Sequence, residues 1–159
     1  LYDLRGAIFE MACGRVAKRS AAGDADGLLR DLEANLDAMR VAHAEDDRDG
    51  YYRINIAFHD MLLAGAQNGK AKAVYDGLVK EMHLFRRRGL SHALSIARSI
   101  EEHEAIVGAI TRGDAAAARE AALSHIESGL GRYMNTLADL VDEGDAGAGR
   151  DAVGAAETT

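Results

Sequence analysis

The chain has 159 residues, of which 48% are hydrophobic and 28% are charged. This is the size of one domain with enough apolar material for a packed core. There is no proline, where average usage would give roughly eight, and there are 31 alanines, which favours an all-helical fold. The net charge of −7 opposes binding of this segment by itself to a nucleic acid backbone.

Cysteine content and hydropathy indicate the cellular setting. Cys13 is the only cysteine, so neither an intrachain disulfide nor a thiolate zinc cluster can form. No stretch approaches 18 consecutive apolar residues, and the N-terminus lacks the pattern of a secretion signal. We therefore expect a cytoplasmic protein with no membrane association. The chain starts without a methionine inside a predicted helix, which favours its being part of a longer protein.

Three helices are predicted in the first half of the chain. The first covers residues 1 to about 20, and apolar residues at helical spacing form its inward stripe. That stripe consists of Leu1, Leu4, Ile8, Met11, Ala12 and Val16. We expect Asp24 to cap the second helix, which ends at the charged run 45–49. The third helix is predicted over about residues 49–66.

Three more helices are predicted in the second half. The fourth has Val74, Leu78, Met82 and Phe85 on its inward side and ends near residue 89. The fifth begins between residues 91 and 95 and ends at residue 113, and the sixth covers 115 to about 141. The inward residues predicted for the sixth are Leu123, Ile126, Leu130, Met134 and Leu137. The pattern predicts an antiparallel bundle of six to seven helices over residues 1–141, followed by a flexible tail over 142–159.

The first of three unusual histidines lies in the fifth predicted helix. The inward series of that helix has a gap between Ile100 and Val107, and His103 fills it, three residues after one and four before the other. An imidazole therefore takes a core position. Burial of its two nitrogens costs a few kcal/mol unless they find partners.

The second histidine lies on the following helix. His103 precedes Gly113 by 10 residues, and His125 follows Asp114 by 11, so the two are nearly symmetric about a tight turn. Folding this turn into an antiparallel hairpin places each imidazole roughly 15 Å from the turn, at a rise of ~1.5 Å per residue. We therefore expect the two rings to be neighbours.

The third histidine, His59, lies on the third predicted helix, and Asn55 stands one turn earlier on the same face. Phe58 and Leu62 flank that face. Three imidazoles and an amide oxygen that project inward from three helices suit a divalent transition metal, and zinc, nickel, cobalt, manganese or iron would accept them. The sequence thus predicts a metal site inside the bundle.

A simpler interpretation is a structural bundle whose core histidines are bonded to carbonyl groups. It predicts that the protein binds no metal and that His103→Ala costs only packing. The neighbouring acids Asp60, Glu102 and Glu104 point about 100° away from the histidine faces. We expect these acids to face solvent or to form local ion pairs.

The sequence Asn55-x3-His59, with Phe58 before the histidine, followed by His103 and then by His125 after 21 intervening residues, resembles the metal site of the FCD domain. That domain is the C-terminal, effector-binding half of FadR-type regulators in the GntR family. Three further stretches are similar: the opening helix 1–10, the turn 66–68 and the hairpin 102–114. The resemblance covers about residues 1–140.

This resemblance implies an all-helical domain that binds a metal ion and a small organic acid and forms a homodimer. It also implies an N-terminal winged helix-turn-helix, absent from this chain, that binds operator DNA. The implied metal ligands are Asn55, His59, His103 and His125, with zinc or nickel as the preferred ion. Many members have Asp at the position of Asn55, so the neutral amide leaves the site with one more unit of positive charge.

Two arginines are candidates for binding the effector. Arg5 lies between Leu1 and Ile8 at helical steps of four and three, so it points inward and needs an anionic partner. Arg86 lies four residues after Met82, at the inward edge of the fourth helix. Together with a metal, a buried arginine would hold a carboxylate, hydroxy acid or sugar acid. The alternatives are a structural carboxylate as the partner of Arg5 and a solvated cluster over residues 86–88.

Two functions from different classes fit these features. The first is the sensor domain of a transcription regulator, in which an organic acid changes DNA binding by a separate domain. The second is a DinB-like three-histidine metalloenzyme, a hydrolase or thiol transferase, in which the metal activates water or a thiol. No predicted general base faces the three histidines, which favours the sensor.

Overall fold

The structure is a computed structural model that describes the backbone of residues 2–89 and 93–151 and the side chains of residues 2–80 and 95–135. These residues form six α-helices and no strand, which confirms the predicted all-helical fold. The helices are α1 (Tyr2–Ala21), α2 (Asp26–Ala44), α3 (Arg48–Gly65), α4 (Gly69–Gly89), α5 (Ala93–Thr111) and α6 (Ala115–Asp151).

Short polar side chains fix the start of three of the helices. Asp47, Asn68 and Asp114 each accept a hydrogen bond from a backbone N–H three residues later, at the starts of α3, α4 and α6. The cap predicted for the second helix is wrong. Ala25 stands at that position without a side-chain cap, because the Asp24 carboxylate instead accepts a hydrogen bond from Arg19.

Helix α1 is the centre of the bundle. It packs most extensively on α6 and also contacts α3, α4 and α5, while α5 and α6 form the antiparallel hairpin that the sequence predicts. The side of α1 that is fully buried carries Phe9, Ala12, Cys13, Val16 and Ala17. The small residues among them let several helices approach α1 closely. The bundle interior therefore lies between α1, α3, α5 and α6.

Three of the predicted inward stripes each contain one residue that does not face inward. Leu4, Val74 and Met134 are about half exposed, so their assignment to the core is wrong. In each case an adjacent residue is buried instead: Arg5 after Leu4, Tyr75 after Val74 and Tyr133 before Met134. Each of these helices has apolar residues on two adjacent faces, and one residue corresponds to a turn of about 100°, so packing against neighbours decides which face is inward.

The second half of the bundle agrees with the pattern along α5 and extends it along α6. Ile96, Ile100, Val107 and Ile110 are all buried, with His103 among them. Helix α6 continues to Asp151, ten residues beyond the predicted end. The flexibility of residues 142–159 stays a prediction. The side chains of Met82 and Phe85, predicted to face inward, lie outside the described residues.

The turn between α5 and α6 depends on Gly113, which has a φ of 70°. A Cβ atom there would lie 2.7 Å from the Cβ of Ala21. We expect Gly113→Ala to lower the free energy of unfolding by about 2 kcal/mol, because the left-handed backbone and the close contact both oppose a side chain. Urea denaturation measures this change.

Gly77→Ala is the matched control for this prediction. Gly77 lies within α4, and nothing is within 4 Å of the position of its Cβ. We expect this substitution to stabilise the protein by up to about 1 kcal/mol, because alanine is the better helix former. Equal unfolding midpoints for the two variants would contradict the role assigned to Gly113.

Candidate metal centre

The three unusual histidines meet inside the bundle, as the sequence predicts. His59 comes from α3, His103 from α5 and His125 from α6, with exposed fractions of 1%, 0% and 5%. One ligand atom from each lies within 4.8 Å of the others. The rings of His103 and His125 are 4.4 Å apart between centroids, so the predicted hairpin geometry is confirmed. Their role as metal ligands stays a prediction.

Two of the imidazole nitrogens face each other at a distance suited to a shared cation. The Nε2 atoms of His59 and His125 are 3.2 Å apart. Two nitrogens bound to one zinc ion at ~2.1 Å would be roughly 3.0–3.4 Å apart for bond angles between about 90° and 110°. The separation in the protein falls in this range. The same distance also permits a hydrogen bond between the two rings.

The outer nitrogen of each of these rings is held by a polar side chain. His125 Nδ1 lies 2.8 Å from the Glu102 carboxylate, and His59 Nδ1 lies 3.1 Å from the Tyr75 hydroxyl. Metal-binding histidines commonly have a carboxylate or other polar group at the outer nitrogen, because this fixes the ring and its tautomer. The donor set of this chain therefore fits a divalent transition metal.

Burial favours a neutral ring at His125, although the neighbouring Glu102 carboxylate opposes it. Burial raises the pKa of Glu102, but hydrogen bonds from His125 and Arg132 outweigh it and hold the pKa at about 2. Arg132 donates to both carboxylate oxygens, at 2.7 Å and 3.0 Å. Burial is the main cause that lowers the pKa of His125. A neutral imidazole is the form that binds metal.

The sequence-based expectation for Glu102 is wrong. Glu102 does not point outward into solvent, because its carboxylate lies between His125 and Arg132 and is largely buried. The other two acids behave as expected. Glu104 pairs with Arg40 on the surface, and Asp60 lies 3.8 Å from the ammonium group of Lys72.

Asn55 contributes a further buried polar atom beside the histidines. It lies one turn before His59 on α3 and is buried. Its Oδ1 atom accepts no hydrogen bond from the side chains and backbone that the structure describes. A buried carbonyl oxygen without a donor costs free energy, and a cation would compensate it. This observation supports the prediction that Asn55 is the fourth ligand.

Aromatic rings enclose the site on two sides. The ring centroid of Phe9 lies 4.4 Å from that of His59, and the centroid of Phe58 lies 4.4 Å from that of His103. These contacts exclude water and lower the local dielectric constant. Charges inside the site therefore interact more strongly than they would at the surface.

Arg5 lies next to this centre with its guanidinium buried. Its exposed fraction is 4%, which confirms the predicted inward orientation. Its Nε donates to the Tyr75 hydroxyl at 3.2 Å, and its Cζ lies 5.7 Å from the centre of that ring. Among the side chains that the structure describes, no acidic group pairs with Arg5. The second candidate for effector binding, Arg86, has its side chain outside the described residues.

Sequence reasoning missed Tyr75, Glu102 and Arg132. Tyr75 lies one position after Val74, on the face that the predicted stripe leaves outside. Arg132 lies seven residues after His125, two turns along the same side of α6, and this spacing is the signal that could have found it. Glu102 directly precedes His103, so its contact with a histidine on another helix is not visible in the local pattern.

Comparison with protein families agrees with this geometry. Residues 1–128 match the family model of the FCD domain. The chain belongs to the FCD family, whose domains are the regulatory, effector-binding parts of GntR-family transcription regulators. None of the curated proteins compared with the chain matches it. No helix in the described part of the chain has the length and apolar character needed to cross a membrane.

The Glu102–Arg132 pair should stabilise the metal-free protein. We expect Glu102→Gln to lower the free energy of unfolding by about 1–3 kcal/mol, because the Arg132 guanidinium then loses its charged partner in a mostly buried position. Urea denaturation in the presence of a chelator measures this.

Glu104→Gln is the control for the Glu102 variant. Glu104 also pairs with an arginine, but 41% of its side chain is exposed. Its loss should change the free energy of unfolding by no more than about 0.5 kcal/mol, because an exposed ion pair contributes little. Equal changes in the free energy of unfolding for the two variants would show that the buried Glu102–Arg132 pair stabilises the protein no more than the exposed Glu104–Arg40 pair does.

Proposed function

We propose that this chain is the metal-dependent, effector-binding domain of a GntR-family regulator of the FadR subfamily. A divalent transition metal and Arg5 together bind a small organic acid. The observation that carries this proposal is the convergence of His59, His103 and His125 beside a buried arginine that has no acidic partner among the described side chains. The family to which the chain belongs supports the same function.

The proposed metal ligands are Asn55, His59, His103 and His125. Zinc or nickel suits a set of imidazoles and one amide oxygen, and cobalt, manganese or iron would also be accepted. All four ligands are neutral, so the site retains the full charge of the ion. When bound, the metal supplies a Lewis-acidic centre with open positions for the oxygen atoms of an acid.

The proposed effector is a carboxylate or sugar acid. Transfer of a guanidinium group into the interior costs several kcal/mol unless an opposite charge accompanies it. Arg5 meets Tyr75, a neutral group, so a carboxylate would supply the missing negative charge. Arginine is suited to this because its N–H groups bind both oxygens of a carboxylate. Arg86 remains a second proposed contact.

We extend this proposal to the organisation of the whole regulator. Residues 1–141 form the sensor, residues 142–159 are a tail, and a winged helix-turn-helix that binds operator DNA precedes residue 1. The regulator is a cytoplasmic homodimer. The effector acts on DNA binding by favouring one of two arrangements of α1, the helix that carries Arg5 and adjoins the missing domain.

No observation favours the metalloenzyme. The acid nearest to the histidines among the described residues is Glu102, and it contacts the outer nitrogen of His125. Both of its oxygens accept hydrogen bonds from Arg132. A carboxylate engaged in this way is poorly placed to take a proton from a metal-bound nucleophile.

Metal binding is the first test of this function. We expect the purified protein to bind about one zinc or nickel ion per chain and to gain thermal stability on loading. His103→Ala should reduce the affinity for the metal at least about 100-fold, because one of the four proposed protein ligands is lost. Equilibrium dialysis with metal analysis, together with thermal unfolding, measures both effects.

His43→Gln is the control for the metal-site variant. His43 lies on α2 and is half-buried, away from the three clustered histidines. The His43→Gln variant should bind the metal as tightly as the wild-type protein does. Metal-free wild-type protein that gains no stability from zinc or nickel would support the structural bundle instead.

Effector control of DNA binding is the second test. Operator affinity of the full-length regulator should change when malate or another small acid is titrated into the metal-loaded protein. Arg5→Gln should weaken the response to the acid about tenfold or more while leaving metal binding in place, because a charged hydrogen-bond donor is lost. Fluorescence anisotropy with labelled operator DNA measures the response.

Arg30→Gln is the control for the effector variant, because Arg30 is exposed on α2. It should respond to acids as the wild-type protein does. A full-length protein that binds an acid but whose operator affinity is indifferent to it would contradict the sensor function.

A further inference from the structure

One continuous series of hydrogen bonds runs through the metal centre. From α1, Arg5 Nε donates to the Tyr75 hydroxyl at 3.2 Å, and this hydroxyl lies 3.1 Å from His59 Nδ1. The opposite nitrogen of the same ring, Nε2, lies 3.2 Å from His125 Nε2. The series then passes through His125 Nδ1 to Glu102, at 2.8 Å. Five helices contribute to it, in the order α1, α4, α3, α6 and α5.

The two ends of this series fix its direction. Glu102 accepts two hydrogen bonds from Arg132, so it is a carboxylate and can only accept. His125 Nδ1 must therefore donate to it, which leaves Nε2 of the neutral ring as an acceptor. His59 Nε2 must then donate, and in a ring with one hydrogen, which is the form that binds metal, Nδ1 accepts from the Tyr75 hydroxyl. In the metal-free protein every step thus points from Arg5 towards Glu102.

A metal held by the three histidines would reverse one part of this series. Coordination by His59 Nε2 would require a lone pair there, so one proton would leave Nε2 and one would be taken up at Nδ1. The charge of the ring would not change. Nδ1 would then donate to the Tyr75 oxygen, which also accepts from Arg5. The hydroxyl hydrogen of Tyr75 would turn away from His59 towards another acceptor.

We infer that Tyr75 binds the carboxylate of the effector together with Arg5, and that metal binding at His59 makes its hydroxyl available as a donor. This inference rests on the proposed function and adds a residue and a coupling to it. Tyr75 is fully buried and its hydroxyl already touches Arg5, so a group that accepts from Arg5 at this point is also within reach of the hydroxyl.

The chemistry of the two donors defines the ligand class. After metal binding, the guanidinium of Arg5 and the hydroxyl of Tyr75 both require acceptors in a site of low dielectric constant. A carboxylate accepts from both and neutralises the arginine, whereas an amine or a cationic group would be repelled. Metal and acid therefore favour each other, and by linkage each raises the affinity of the other by the same factor.

The test uses zinc and acetate as probes. The zinc dissociation constant is measured by competition with a chromophoric chelator, in acetate and in chloride at equal ionic strength. The ratio of the two constants is the coupling. We expect acetate to tighten zinc binding in the wild-type protein, and we expect Tyr75→Phe to reduce the coupling about tenfold, because one hydrogen bond to a charged group is lost. Phenylalanine retains the buried ring.

Tyr133→Phe is the matched control. Tyr133 is also a buried tyrosine, but it lies on α6 eight residues after His125, ~12 Å along the helix. In the Tyr133→Phe variant, the ratio of the zinc dissociation constants in acetate and in chloride should equal that of the wild-type protein. Wild-type protein that fails to bind zinc overturns the proposed function. Equal coupling in Tyr75→Phe and the wild-type protein, with zinc and acetate bound by both, overturns only the inference about Tyr75.

The hydrogen positions can be observed directly. Nitrogen chemical shifts of the His59 ring, assigned with a His59→Gln variant, distinguish the two neutral tautomers. We expect the hydrogen on Nε2 in the metal-free protein and on Nδ1 in the zinc-loaded protein. A hydrogen on Nδ1 in the metal-free protein would overturn the reversal at Tyr75 while leaving the metal site and the proposed function intact.

Discussion

The interior of this protein is organised around the pairing of His59 and His125 through their inner nitrogens, 3.2 Å apart. Two imidazoles can approach in this way only if one donates and one accepts, or if a cation lies between them. Glu102 and Tyr75 hold the outer nitrogens and so determine which case applies. Tyr75 and Glu102 in turn connect this histidine pair to Arg5 and Arg132.

The three histidines place polar groups in the interior of the bundle. Phe9 and Phe58 cover the imidazoles and close the site against water. In that environment an unsatisfied charge is costly, so Arg132 is matched by Glu102 on one side of the site. Arg5 has a hydroxyl partner on the other side. The two sides of the site therefore differ: one contains an arginine with a neutral hydroxyl partner, and the other contains an arginine paired with a carboxylate.

Sequence reasoning located the histidines because each leaves a signal in its own helix. His103 fills a gap in a strict apolar series, and its symmetry with His125 about Gly113 follows from the length of two helical arms. The fold class could be predicted for a similar reason, since helical spacing and glycine-containing turns are local properties. The cluster of three histidines was therefore predictable in outline.

The remaining parts of the site depend on how the helices are rotated against each other. Leu4 and Val74 offered apolar alternatives to the faces that became buried, so Tyr75 could not be recognised from its own helix. The sequence predicts that Glu102 faces solvent, because it lies about 100° around α5 from His103. That angle describes one helix only and does not include a partner on another helix. Its contact with His125 arises from the α5–α6 packing, as does the capture of Arg132. Such contacts are properties of tertiary structure.

The depth of the histidines has a kinetic consequence. With the three rings almost fully buried, an ion can reach or leave them only when the bundle opens locally, and such openings are slow and rare compared with diffusion. Exchange of the ion would then be limited by breathing of the helices. Arg5 and Tyr75 are buried to the same degree as the histidines, so the proposed acid would wait for the same openings, and ion and acid would both exchange slowly.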